Sequence, residues 1–375
     1  MENELLPFET HSIEDTKICV FGEETMTYIN ELCADIGTDN CPCPLAETGD
    51  CLVCSRLAGR GECDCRWAGV CVYNEYIQNG GAVLQRREDR PVEILKKTWY
   101  GSDLLVLVLK VSKGFALRAS RPGSFVFVNP VGRSAVSNVP VSIMRTDAKE
   151  GKIFLAIKII SAKTKAVAEA EDMLMLRGVY RNGLLGGGLP GLRDDVRSVR
   201  AGGSASGQGK PQERRWLVMT KGAGFAPAVN LLTAADGKVR TDLLIDTEKI
   251  GEEMISDNLR TVKGMDDGMV KAGAVSLLEM TEVLKAERAK GRYPSPPGID
   301  KVEAYDRVMI LASDYYIKTL AECLEIPSRK LVFCNNFRMC CGEGICGACG
   351  HTDRTGHVSK MCKCRNVDVG ELLGV

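Results

Sequence analysis

The chain has 375 residues, more than a single domain of roughly 100–200 residues accounts for. Its 45% hydrophobic and 26% charged content exclude a disordered or fibrous protein. Lys plus Arg and Asp plus Glu balance at 49 each, so no net field draws it to nucleic acid, and no run of about 18 apolar residues offers a membrane span.

The N-terminus MENELLPFET is acidic and lacks an apolar stretch, so a secretory leader is not expected and a cytoplasmic location is. Residues 1–50 carry twelve acids against one base, Lys17. Such a bias is usual for a solvated face; a docking surface for a basic partner is the sharper alternative. Seventeen cysteines stand against three histidines, and they gather at Cys19–Cys71 and Cys323–Cys364. A disulfide framework would fit a small exported domain, whereas clustered thiols in a long chain without an export signal point to metal.

Residues 1–90 are expected to form an N-terminal Cys-rich domain. Cys33 is followed by Cys41, Cys43, Cys51, Cys54, Cys63, Cys65 and Cys71, spaced C-x-C-x7-C-x2-C-x8-C-x-C-x5-C from Cys41 onward. That exceeds the four thiols which one 4Fe-4S cluster or one zinc takes. Cys51 and Cys54, a C-x2-C pair, lead the expected ligands of a 4Fe-4S centre, with Cys63 and Cys65 completing the set. Cys41, Cys43 and Cys71 compete for the same places, and zinc is the alternative metal. Trp67, Tyr73 and Tyr76 are expected to pack around this site.

Across residues 91–190 the texture is β. Leu104–Val111, Ser124–Val128, Val141–Met144, Ile153–Ile160 and Met173–Leu176 are short β-rich runs between turn residues, with a helical stretch through Ala166–Ala170. Strands at this spacing predict a small antiparallel β-barrel. Residues 191–215, polar and rich in Gly and Ser, read as a linker or insertion.

Residues 216–330 turn to α/β. Trp216–Thr220 reads as a strand, followed by the turn Lys221-Gly222-Ala223-Gly224 and a helix through Leu232. Thr241–Ile245 and Arg307–Leu311 read as strands, Leu277–Ala289 and Tyr315–Leu324 as helices. Alternation of this kind predicts a parallel-sheet α/β domain.

Residues 331–375 hold the most specific feature. Cys341, Cys346 and Cys349 form C-x4-C-x2-C, and Cys362 follows 13 residues later. This is the plant-type spacing that holds a 2Fe-2S cluster by four thiolates. Glycines at 342, 344 and 347 let backbone N–H groups approach the sulfurs. Cys340 beside Cys341, and Cys364 beside Cys362, leave the identity of the first and fourth ligands open. His351 and His357 read as exposed turn residues.

Met339-Cys340-Cys341-Gly342-Glu343-Gly344-Ile345-Cys346-Gly347-Ala348-Cys349, with Met361-Cys362-Lys363, closely resembles the cluster motif of the electron-transfer subunit of type B dihydroorotate dehydrogenase. The module order resembles that family from about residue 90 onward and implies a ferredoxin reductase-like fold. The resemblance implies FAD on the barrel, NAD(P) on the α/β domain and a cluster passing electrons to a partner flavoprotein. It places Pro140, Ser142 and Thr164 at the flavin, and Gly222, Gly224 and Pro227 at the nicotinamide cofactor. Departures stand beside these matches. Val139 replaces the family's flavin arginine, leaving Arg133 or Arg145 as substitutes, and Lys163-Thr164 replaces Gly-Thr. Ala312-Ser313-Asp314 replaces Cys-Gly-Pro near the nicotinamide.

The expectation is therefore an electron-transfer subunit of an anaerobic flavin and iron–sulfur oxidoreductase complex. Its partner would be a catalytic flavoprotein or an iron–sulfur oxidoreductase subunit in a hetero-oligomer, with neither nucleic acid nor membrane involved. An active NAD(P)H-oxidising FAD and 2Fe-2S reductase, and a zinc-stabilised assembly subunit without redox function, are the alternatives.

Overall fold

The computed structural model describes residues 33–65, 67, 69–186, 214–292, 299–354, 356 and 358–364. Cys19, most of the acidic arm, most of the expected linker and His357 lie outside the described residues. Among the described residues, no helix is long and apolar enough to cross a membrane.

Among the described residues, the N-terminal module is built from turns, a 3-10 turn at Arg56–Ala58 and two short helices, α1 (Pro44–Thr48) and α2 (Val72–Gln78). Pro44 opens α1 and Gly49 closes it at φ 77°, the usual proline-first, glycine-last arrangement. Its core is small: Ala46, Cys54, Leu57 and Val72, with Trp67, Tyr73 and Tyr76 packed against them as expected.

Six strands follow: β1 (Arg90–Tyr100), β2 (Leu104–Lys110), β3 (Phe125–Pro130), β4 (Val139–Asp147), β5 (Lys152–Lys158) and β6 (Met173–Tyr180). They close into a barrel in the order β1-β2-β5-β4-β3-β6, and every pairing is antiparallel. Two helices attend it, α3 (Lys113–Ala119) and α4 (Ala162–Glu169). Side chains alternate along β2. Leu105, Leu107 and Leu109 fill the barrel with Val126, Ile143 and Leu155. Leu104 and Val106 point outward and join Trp216, Phe225 and Val229. A strand buried on both faces reads as one unbroken apolar run, which LLVLVLK is. The barrel and the α/β domain thus share a core.

The second sheet contains β7 (Leu184–Gly186), β8 (Arg215–Lys221), β9 (Arg240–Asp246), β10 (Val270–Val275), β11 (Arg307–Leu311) and β12 (Leu331–Cys334), in the order β10-β9-β8-β11-β12-β7. The first five are parallel. β7 is antiparallel to β12, so the chain joins this sheet within the stretch expected for the barrel. Helices α5 (Phe225–Ala235), α6 (Glu252–Leu259), α7 (Leu277–Ala289) and α8 (Asp314–Cys323) connect the strands. Beyond β12 comes the cysteine loop, then the hairpin of β13 (Gly350–Thr352) and β14 (Val358–Lys360). His351 is a half-buried strand residue edge-on to Phe337 at 5.8 Å, not an exposed turn residue.

Candidate functional site

The loop after β12 is anchored before it turns. Asn335 donates from Nδ2 to the carbonyls of Asn182 (2.8 Å) and Met361 (2.9 Å), and Asn182 donates to Met361 O at 2.7 Å. These bonds tie the segment bearing Cys362 to the approach of β7. Gly342, Gly344 and Gly347 take φ of 72°, 77° and 72°, a region that side chains disfavour. At Gly344 space forbids a side chain as well, since an added Cβ would stand 2.7 Å from Leu45 Cδ2.

The loop then points its amides at sulfur. Glu343 N and Cys346 N donate to Cys341 Sγ at 3.3 and 3.5 Å. Gly344 N donates to Cys362 Sγ at 3.1 Å, and Cys362 N to Cys349 Sγ at 3.3 Å. The Cys341 thiol is held down to about 3, first by a hydrogen bond from Cys362 and then, against burial, by the amides of Cys346 and Glu343. Cys349 falls to about 6, again led by Cys362, whose own value rises because it holds the shared proton. Thiolate is the form that binds metal, and the loop stabilises it at Cys341 and Cys349, whereas burial raises Cys346. The structure thus brings Cys341, Cys346, Cys349 and Cys362 together. Cys340 is exposed, and Cys364 is buried beside Cys349 with its thiol pushed up to about 11 by burial.

Among the described residues, no three His, Cys, Asp or Glu side chains have the geometry to hold one metal ion. The four thiolates of a 2Fe-2S cluster are shared between two irons, a different requirement. The gathered thiols and their amide donors fit that group.

Behind the loop lies a buried ion network. Arg87 donates to Asp35 at 2.5 Å and pairs with Glu343 at 3.3 Å, while Lys363 reaches Asp35 and Glu343 at 2.7 Å each. The side chains of Asp35, Arg87, Glu343 and Lys363 are 4%, 2%, 13% and 1% exposed. Burying four charges is tolerable here because each meets opposite charge. Tyr180 adds a hydroxyl donor to Glu343 at 2.9 Å.

A cleft of about 590 Å³ opens between the barrel and the α/β sheet. Pro140, Ser142, Gly222, Gly224 and Pro227 all line it, so five of the six residues expected at cofactors meet in one place. Thr164 is not in the lining; its hydroxyl accepts from Ser161 N at 3.0 Å and completes the capping box of α4. Gly224 is required for packing, because a Cβ there would sit 1.7 Å from Leu311 O. Neither substitute for the missing flavin arginine reaches the cleft lining. Arg133 is exposed, and Arg145 stacks over the Phe154 ring at 4.0 Å.

Lys221, the buried cation among the described lining residues, bonds to Asp246 at 2.6 Å and to Glu248. Burial works against its charge, but these two carboxylates outweigh burial and raise its pKa. Asn336 is likewise engaged, by Ala312 O and Asp314 at 2.9 and 2.8 Å. A flavin pyrophosphate needs an available cation or several donors; the buried cation of this cleft is already neutralised, whereas the exposed Lys249 and the turn at Gly222-Ala223-Gly224 also line it. No step is derived through that group.

The N-terminal thiols form two sets. Cys54 N donates to Cys51 Sγ at 3.3 Å. Cys65 is raised by burial, hydrogen-bonds with Cys63 and feels the charge of Cys54. Cys63 and Cys71 are exposed. The second set shares Cys51 with the first and adds Cys41 and Cys43, which the spacing already offered; Cys33 was not offered as a ligand because it stands apart from the dense run. Cys33, Cys41, Cys43 and Cys51 line a closed pocket of about 10 Å³ together with Leu45 and Leu52. Burial pushes the Cys33 thiol up to about 12 and raises the other three as well.

No family model matches this chain, and no curated protein does. Solved structures similar to it include an NADH-dependent reduced ferredoxin-NADP oxidoreductase with flavin-based electron bifurcation. That structure is 17% identical, with 72% of this chain and 85% of that one covered and a TM-score of 0.47. The ferredoxin reductase in carbazole 1,9a-dioxygenase is 14% identical over 67% and 70% at 0.45. A ferredoxin NADP+ reductase from Neisseria gonorrhoeae with bound FAD and NADP is 13% identical over 63% and 90% at 0.42. At this level the likenesses carry no argument about chemistry.

Proposed function

We propose that this chain is an electron-transfer subunit of a multisubunit flavin and iron–sulfur oxidoreductase, exchanging single electrons with a partner flavoprotein. The observation that supports it is the convergence of Cys341, Cys346, Cys349 and Cys362 under four amide N–H···S contacts. When bound there, a 2Fe-2S cluster supplies one-electron exchange in which no substrate bond forms or breaks. The chain's own contribution is to hold and tune it. The amides share the negative charge of the sulfurs, and the buried Cys349 and Cys362 side is closed to water. Cys346 and Ile345 are exposed on the opposite rim, where a partner subunit can approach.

In this reading residues 1–90, 91–190, 216–330 and 331–375 act as cluster, barrel, α/β and 2Fe-2S modules of a cytoplasmic hetero-oligomer. The N-terminal thiols supply a second centre of the 4Fe-4S type. Sequence spacing names Cys51, Cys54, Cys63 and Cys65 for it, of which Cys63 is exposed.

Electron paramagnetic resonance of the reduced protein, with iron, sulfide and zinc analysis, tests the reading. A reduced 2Fe-2S signal that Cys346→Ser removes is expected; a zinc-only protein without signal overturns it. A flavin reductase reading has the 590 Å³ cleft in its favour, but Lys221 is already paired. Anaerobic addition of NADH and of NADPH is expected to bleach no flavin, and bleaching would replace the relay by that reductase.

A further inference from the structure

We infer that Cys33, Cys41, Cys43 and Cys51 are the ligands of an inner iron–sulfur site, and that this set is the N-terminal centre which exchanges electrons with the C-terminal loop. The inference rests on the relay reading above and changes its ligand set. Three observations carry it.

The first is convergence. Four thiols spanning 18 positions of chain line one small pocket. Four thiolates are what a 4Fe-4S cluster takes. The free space now matches about one water-sized sphere, so loading the site moves these side chains outward. The pocket lining holds one carboxylate, Asp35, and it is already committed to Arg87 and Lys363.

The second is enclosure. Cys33 and Cys43 are buried, and Cys41 and Cys51 half-buried, whereas Cys63 and Cys71 are exposed. A low-potential centre shielded from solvent is protected from oxidation, and shielding is one of the protein's means of setting its potential.

The third is position. Leu45 lines the inner pocket and its Cδ2 also lies against Gly344 of the C-terminal loop, where an added Cβ would be only 2.7 Å away. Leu52 lines the same pocket and packs on the core that contains Cys349, Met361 and Cys362. Ala34 N donates to Lys363 O at 2.8 Å, fixing the strand of chain beside Cys33 to the residue after Cys362. Two leucine side chains therefore bridge the two thiol sets, Leu45 at Gly344 and Leu52 on the core of Cys349 and Cys362. When one electron crosses, one centre is oxidised by one electron and the other is reduced by one, with no atom transferred.

The test compares single variants of the full chain, reconstituted or isolated anaerobically, with the 2Fe-2S signal as the internal sign that each has folded. Cys43→Ser and Cys33→Ser are expected to remove a 4Fe-4S signal, and about four irons per chain, while leaving the 2Fe-2S signal. Cys63→Ser and Cys65→Ser are expected to keep both. If Cys63→Ser loses the second signal and Cys43→Ser keeps it, the inner assignment is overturned and the relay stands. A wild-type chain with about two irons and no second signal overturns the inner site while leaving the 2Fe-2S reading. Zinc bound at the inner set without a second signal overturns its redox role. Leu45→Phe and Leu45→Ala, each retaining both signals, are expected to change the magnetic coupling between them, and two signals that never interact would also refute the adjacency.

Discussion

At the scale of single residues, Gly344 is the position where chemistry and packing coincide. Its φ of 77° and the 2.7 Å approach of Leu45 both exclude a side chain. A left-handed conformation costs an ordinary residue about 1–2 kcal/mol, so Gly344→Ala should destabilise the fold by at least that amount and lower the iron content of purified protein. Guanidinium unfolding and metal analysis check both parts. Arg87 is the complementary case. Arg87→Leu would leave Asp35 and Glu343 with Lys363 as their shared cation and Glu343 with the Tyr180 hydroxyl, and breaking a buried ion pair typically costs about 3–5 kcal/mol; the low end is expected because these partners remain. The thiol spacing made Cys341, Cys346 and Cys349 legible from sequence, since a tight glycine loop leaves few ways to arrange them. Arg87 was not legible, because a buried arginine and a solvated one look alike until Asp35 and Glu343 are seen around it.

At the scale of elements, apolar runs told the truth and polar ones hid structure. β2, β3, β8 and β11 were readable because they are buried on both faces, which continuous hydrophobicity signals. β1 closes the barrel yet reads RPVEILKKTWY and is largely exposed, so its pairing with β2 and β6 decides it rather than its composition. β7 has three residues and gains its identity only from β12. The turn at Gly224 separates the two meanings of a glycine-rich motif. Gly224→Ala should push α5 from β11 and cost about 1–3 kcal/mol, as overpacking does. Gly273→Ala, where the nearest atom to the new Cβ is 3.9 Å away, should be neutral or gain about 0.5 kcal/mol. Thermal unfolding of the two variants distinguishes a packing glycine from a permissive one. A phosphate-binding role at Gly224 would appear in addition as lost nucleotide affinity.

At the scale of the whole molecule, the barrel and α/β sheet are held by a common core, and the terminal modules meet each other beside it. That arrangement predicts the outcome of truncation. A chain beginning near residue 90 loses Asp35 from the ion network and Leu45 from Gly344, and it should fail to retain the 2Fe-2S signal although all four C-terminal thiols are present. Retention of a normal signal would show that the loop is self-sufficient. The meeting of the two ends also sets an order of events during synthesis. Asp35 and Lys363 are 328 positions apart, so the first module, and Arg87 with it, is made long before its second cation partner. Contacts of such separation are slow to form and leave early segments exposed. The thiols of residues 33–71 are thus made before Cys341–Cys362, and the contacts of Ala34 and Asp35 with Lys363 form only once that second segment has been made, which ties the maturation of the first site to the arrival of the second.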